Sequence, residues 1–412
     1  MSRSFRYILA SLVVFILLIG AFSGGLIIGW IIPSRPLTSL FSENPSRAPT
    51  PQVGSESRRI EKQGGDLFSA FWEAWDLVHS EFVDQPVDDV QLMRGAIRGM
   101  IDALGDEHSS YMDPVEYQQM TEAMQGEYGG IGAWVDTTGD YLVITSPMPD
   151  TPAAKAGLKP GDKVIKVDGE DMTGIDGSLV LQRVKGEPGT TVVLTILREG
   201  EEPFDVTITR ALITVPSVTS KMLDNNIAYI QLMNYGDNST EEVRKALKTL
   251  LAQKPKGLIL DLRFNGGGYV NTAIEITSQF IGKGPIMYEE YGDGTRTTFE
   301  AKPGGLALDI PLVVLVNEGT ASAAEITAGA IQDTGRGVLV GVTTFGKGSV
   351  QIWTPLKDNQ GAVRITTARW ITPNGRQIHG QGLEPDYIVE LTGDEPEGQD
   401  PQLDKAIEIL SK

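Results

Sequence analysis

Apolar runs and their spacing divide the 412-residue chain into segments of different kinds. Residues 8–32 carry no charged side chain. About 20 apolar residues are enough for a helix to cross a bilayer, so this run predicts a transmembrane anchor. A cleaved signal peptide is the alternative, but its apolar stretch is usually only about 7–15 residues, and length favours an uncleaved anchor. Arg3 and Arg6 put residues 1–7 in the cytoplasm and the rest of the chain outside it. Residues 33–65 are rich in Pro, Ser and charge and read as a flexible stalk. From residue 66 the period becomes helical, with Leu67, Phe71, Trp75 and Val78 on one face. A second helix is predicted over 91–104, closed by Gly105.

Residues 126–212 read as a compact β-rich module, with strands at 141–144, 163–167, 192–197 and 205–208 and a helix over 176–185. Leu179 and Val184 on that helix are candidate pocket residues, and Arg183 and Lys185 are candidate contacts to the segment that follows. Past Pro216, buried strands at 227–232, 257–262, 310–316 and 338–342 alternate with helices. Ser239 with Glu242 predicts a capping box opening the helix that runs to Leu251. Residues 362–370 are strand-like. Residues 392–401 are acidic and loose, and a short helix ends the chain. The expected organisation is a tip (1–7), anchor (8–32), stalk (33–65), helical segment (66–125), β module (126–212), α/β core (213–391) and tail with helix (392–412).

Composition narrows the chemistry. The formal net charge is −19, from 54 acidic and 35 basic residues, which argues against nucleic-acid binding. The absence of cysteine excludes thiol catalysis and disulfides. Only His79, His108 and His379 could supply imidazole, and none has a metal-ligand spacing, so neither metal nor cofactor is expected.

Ser322 lies where the strand at 310–316 gives way to a helix carrying Ala323, Ile326, Ala330 and Ile331 at helical spacing. A helix start offers unpaired N–H groups and the positive end of a dipole. A serine there can attack a carbonyl while those groups hold the oxyanion. Lys347 follows 25 residues later, after one helix and one strand, in a glycine-flanked turn. Small residues around Ser322 also suit close helix–sheet packing, so spacing alone leaves both readings open. Asn265, Gly266, Gly267 and Gly268 follow another buried strand, and their glycines allow close backbone approach to a ligand. No Lys-Ser/Thr pair follows them, which excludes a P-loop. Gly129, Gly130, Ile131 and Gly132 form a glycine-rich turn able to aim N–H groups at one anion.

The combination resembles the C-terminal processing peptidases, or tail-specific proteases, of the membrane-anchored bacterial type with a PDZ domain. The resemblance runs from about residue 66 to the C-terminus. It rests on the small-residue run around Ser322, on TFGKG around Lys347, on DLRFNGGG ending at Gly268, and on the GGIG and AGLKPGD runs typical of PDZ domains. LGDEHSSYM, TPNGR and LEPD add to it, with Glu107 and His108 replacing the family's Pro-Tyr. Ala324 stands where many members have a second serine.

The resemblance implies an α/β and β multidomain fold, with a PDZ domain before a crotonase-like α/β serine protease core. It implies Ser322 as nucleophile, Lys347 as base, Gln351 as the residue orienting that base, and the N–H groups of Gly268 and Ala323 as the oxyanion hole. The PDZ carboxylate loop would be Gly129, Gly130, Ile131 and Gly132. The expected partners are protein or peptide substrates with free C-termini and the membrane through residues 8–32, with an adaptor protein and a homo-oligomer left open. The catalytic part would face the periplasm or cell exterior. A lysine base must be neutral, so its pKa must fall by roughly three units from about 10.4, with burial away from acids as the expected cause. The competing readings are a Ser/His/Asp arrangement using His379, a catalytically silent membrane-tethered PDZ scaffold, and a crotonase-type acyl-thioester enzyme.

Overall fold

The computed structural model describes residues 67–391, 396 and 398–412. The expected tip, anchor and stalk lie outside the described residues. Among those described, no helix is long and apolar enough to cross a membrane.

Residues 67–105 form a body of their own. Its helices are Ser69–Glu81 and Asp89–Asp102. The second starts earlier than its apolar period predicts because the Asp88 carboxylate caps it, accepting from the N–H groups of Val90 and Gln91. Gly105 follows at φ 67°, a backbone region suited to glycine.

Residues 106–412 form the other body, built on a six-stranded sheet. The strand order is Val218–Leu223, Ile227–Leu232, Gly257–Asp261, Leu312–Val316, Val338–Gly341 and Tyr387–Ile388. The first pair is antiparallel and the remaining pairs are parallel. Strands Gly257–Asp261 and Leu312–Val316 are buried along their whole length, which is why residues 258–260 and Leu312–Val316 read as apolar runs. Their side chains alternate between two cores. Leu258, Leu260, Val314 and Val316 face helices Ser239–Leu251, Val270–Thr277 and Ala323–Asp333. Ile259, Val313 and Leu315 face Leu403, Ala406 and Ile407 of the last helix, Pro401–Leu410.

The predicted capping box at Ser239 does not form. Asn238 is the N-cap, Ser239 Oγ accepts from the Gly236 N–H, and the Glu242 carboxylate turns away to the N–H groups of Ser217 and Val218. Glu242 therefore ties this helix to the chain entering the core sheet.

A second sheet carries Ser110–Met112, Ala362–Ile371, Pro285–Tyr291 and Arg296–Glu300 in that order, with Ser349–Pro355 paired to Ala362–Ile371. Between Ser110–Met112 and the core lies the β module. Its chain enters and leaves through one antiparallel pair, Glu127–Gly130 with Ala211–Thr214. Its five-stranded path is Ala133–Asp136, Leu142–Pro147, Lys163–Val167, Thr191–Leu197 and Phe204–Thr209, so each predicted strand is present within a few residues. Helix Gly177–Val184 packs Val180 and Val184 into the module's own core.

Candidate active site

Ser322 stands at the N-cap of helix Ala323–Asp333 with φ 58° and ψ −117°. A non-glycine residue held in so sparse a region costs about 1–3 kcal/mol and persists only where its surroundings fix it. They do so here from several directions. Thr320 Oγ1 donates to the Leu262 carbonyl at 2.8 Å, and the Ala321 N–H donates to the Asn265 carbonyl at 2.9 Å. The Ser322 N–H donates to Glu325 Oε2 at 2.8 Å.

Glu325 is fully buried and also organises the Lys347 turn. Its Oε2 accepts the Lys347 N–H at 2.9 Å, while Oε1 accepts the Gly346 N–H at 2.7 Å and the Thr344 hydroxyl at 2.5 Å. Four donors fill the acceptor sites of an ionised carboxylate. Burial pushes the Glu325 pKa up, and these hydrogen bonds oppose it.

Lys347 has no solvent exposure. Burial, helped by the Arg364 guanidinium, brings its pKa down to about 7. The expected remoteness from acids is not observed. Glu325 and Asp106 both act on Lys347 and pull its pKa upward, and desolvation outweighs them. The Lys347 carbonyl accepts from the Trp370 indole at 2.8 Å, which fixes the turn from the second sheet. Gln351, also buried, donates from Nε2 to Ser349 Oγ at 2.8 Å and Thr366 Oγ1 at 3.1 Å. Thr366 in turn donates to Asp106 at 2.5 Å. This chain fixes the orientation of the Gln351 amide without placing a carboxylate beside it.

Gly267 and Gly268 adopt φ 99° and 149° beside this arrangement. A Cβ on Gly267 would lie 2.9 Å from both Ser322 Cβ and the Ala323 nitrogen, so only glycine lets the loop back onto the serine. The Tyr235 N–H donates to the Gly267 carbonyl at 2.9 Å, which pins the loop. Among the described residues, the N–H groups of Gly268 and Ala323 make no backbone–backbone hydrogen bond. Two such donors flanking a serine suit a developing oxyanion.

Residues 226–389 match the family described as Peptidase family S41. Residues 143–198 match a PDZ domain, and residues 38–115 match the domain described as Activating protease CtpB N-terminal domain. The carboxy-terminal-processing protease of Bartonella bacilliformis is 39% identical over 78% of this chain and 74% of its own length. The chain belongs to the carboxy-terminal processing proteases. CtpA of Bacillus subtilis is likewise 39% identical, over 80% of this chain and 70% of that protein. The solved photosystem II D1 C-terminal processing protease is similar at 26% identity and TM-score 0.48, over 88% of this chain and 98% of that one.

As a carboxy-terminal processing protease the chain is an S41 serine peptidase with a PDZ domain. Ahead of the residues matched as PDZ, Gly129 and Gly130 lie in the entry strand paired with Ala211–Thr214. Ile131 and Gly132 follow it. The Ile131 carbonyl accepts the Ala153 N–H at 2.8 Å, and the Gly132 carbonyl accepts the Met148 N–H at 2.9 Å. Gly132 has φ 76°, and a Cβ there would lie 2.5 Å from Thr151. Of the pocket candidates, Leu179 is exposed and Val184 is buried in the domain core. Lys185 reaches Glu122 of helix Pro114–Gln125 at 3.4 Å, whereas Arg183 pairs with Glu170 inside the PDZ domain.

The chain has three histidines. His379 stacks edge to face with His108 at 5.7 Å between ring centroids, next to Gly348. Burial, followed by the nearby Lys347, pushes the His108 pKa down. His79 pairs with Asp89 at 2.7 Å in the helical body. Glu325, Arg364 and Asp106 are the site residues that sequence reading missed. Glu325 carried a signal, because it stands three residues after a helix-capping serine. Asp106 lies in the LGDEHSSYM run, which did not show that it would reach the base, and Arg364 carried no signal.

Proposed function

We propose that Ser322 is the nucleophile and Lys347 the general base in hydrolysing a peptide bond of a protein substrate recognised at or near its free C-terminus. The observation that carries this reading is the buried lysine with a pKa near 7, held by the same carboxylate that holds the serine's backbone. A lysine neutral at physiological pH can accept the Ser322 hydroxyl proton. The Ser322 oxygen then forms a bond to the substrate carbonyl carbon, and the resulting oxyanion accepts from Gly268 and Ala323. Collapse breaks the C–N bond, and the Lys347 ammonium returns its proton to the leaving amine. Water, deprotonated by the same lysine, releases the acyl group from Ser322. Gln351 orients the Lys347 amine without adding a charge that would favour its protonated form.

In this reading the PDZ domain receives the substrate C-terminus at Gly129, Gly130, Ile131 and Gly132, where successive backbone N–H groups suit a carboxylate. The Lys185–Glu122 contact offers a route from PDZ occupancy to the core. Residues 8–32 anchor the protein, with the catalytic part outside the cytoplasm. The test is cleavage of an unfolded protein with an apolar free C-terminus by the full-length chain in detergent. Cleavage that disappears in Ser322→Ala is expected. Cleavage that persists in that variant contradicts the assignment, and a silent scaffold would cut in neither form.

A further inference from the structure

Two aromatic side chains beside the nucleophile are not accounted for by packing. Phe264 is 45% exposed and Phe345 is 52% exposed. Neither belongs to a hydrophobic cluster among the described residues. An exposed phenylalanine alone is unremarkable on a protein surface. Phe264, however, also has φ 60°, a left-handed conformation rare for a bulky side chain. Its backbone is held there, with its N–H donating to Asn317 Oδ1 at 2.8 Å. A residue that is both strained and exposed, where Asn or Gly would relieve both, points to a use for its side chain.

Both residues contact one short turn, residues 317–321, which leads into Ser322. Phe264 lies against Gly319, where a Cβ would come 3.0 Å from Phe264 Cα and 3.2 Å from its ring. The Phe345 N–H donates to the Thr320 carbonyl at 3.0 Å. Phe264 precedes the Asn265–Gly268 loop, and Phe345 precedes Lys347 by two positions. Both aromatic residues are therefore held against the turn that carries the residue to which the acyl part of a substrate would be attached.

We propose that Phe264 and Phe345 determine specificity by receiving a large apolar side chain on the substrate residue that contributes the scissile carbonyl. That residue becomes bonded to Ser322 and is the part of the substrate held nearest this turn. Burial of its side chain between two exposed rings removes apolar surface from water on all sides. A charged side chain at this position would lose hydration with no partner. The proposal rests on Ser322 being the nucleophile.

The experiment measures binding of tripeptide aldehydes ending in Leu, Ala or Asp to the full-length protein, by thermal shift without turnover. The wild type is expected to bind the Leu aldehyde at least 10-fold more tightly than the Ala aldehyde, in line with apolar pocket discrimination, and the Asp aldehyde least. In Phe264→Asn and Phe345→Ala the Leu-to-Ala ratio is expected to fall below about threefold. Asn tolerates a left-handed backbone, so Phe264→Asn should fold with undiminished stability, which separates specificity from folding. Phe345→Leu, still apolar, should keep a ratio above that of Phe345→Ala. A wild-type ratio near one, or an unchanged ratio in both variants, overturns the proposal. Ser322→Ala tests the underlying reading separately: aldehyde binding as tight as in the wild type would reject Ser322 as nucleophile while leaving the ratios interpretable.

Discussion

Glu325 and Lys347 are joined by a 2.9 Å hydrogen bond from the lysine's backbone N–H to Glu325 Oε2, the oxygen that also accepts the Ser322 N–H at 2.8 Å. The two candidate catalytic residues, 25 positions apart in sequence, thus share one buried anchor atom. Glu325→Gln should break this arrangement, because an amide nitrogen cannot accept from N–H or O–H groups. Two of the four donors would be left without an acceptor whichever way the amide turns. The expected cost is at least about 2 kcal/mol of stability, with turnover falling by about 100-fold or more. Thermal melts and cleavage kinetics would show both.

With Lys347 as the proposed base, its pKa of about 7 should set the acid limb of the pH profile. The base must be neutral, so kcat/KM should drop about tenfold per pH unit below 7 and level off above it. The stability effect has the same origin. Between about 7 and the ordinary 10.5 the unfolded chain holds a proton that the folded chain lacks, so stability rises with pH across that window. The cost is fully present below about pH 7. Lys347→Met removes the titration and should abolish cleavage while raising stability at pH 7 by several kcal/mol, up to about 4. A melt of the variant showing no gain would contradict the burial argument.

Arg263 should matter for stability more than its place outside the catalytic residues suggests. Its guanidinium bridges the buried Asp261, at 2.7 Å, and Asp400 at the start of the last helix, at 2.8 Å. Arg263→Met would leave Asp261 buried without a counter-charge, a change costing about 3–5 kcal/mol. The glycine-rich loop that follows at Asn265 should loosen with it. Chemical denaturation would show an earlier midpoint.

Gly267→Ala tests the close approach behind the serine. A Cβ there would meet the Ala321 carbonyl at 2.8 Å as well as Ser322 and Ala323, and φ is 99°. Backbone atoms on both sides leave no flexible group to yield. Cleavage should fall by 100-fold or more, as when an oxyanion donor is displaced.

Much of this architecture was legible in the chain. The apolar runs at Leu312–Val316 and residues 258–260 read as strands covered on both faces, which they are, and glycines marked many of the turns. Strands Pro285–Tyr291 and Arg296–Glu300 were missed, because their outward positions are polar and they sit in a half-exposed sheet. Ser239 looked like a cap, but tertiary contact drew Glu242 to Ser217 and displaced the motif. The environment of Lys347 was the least readable part. Arg364 and Asp106 reach it from other strands and loops, so the balance of charges around the base depends on the assembled sheet rather than on any local motif.

The most direct test of the central claim is labelling of the full-length protein with a fluorophosphonate, followed by peptide mapping and repeated across pH in wild type and Lys347→Met. A Ser322 nucleophile with a Lys347 base predicts one adduct, on Ser322, forming at a rate that rises through about pH 7 and is lost in the variant. An adduct on another residue, or labelling of Ser322 at an unchanged rate in Lys347→Met, would contradict it.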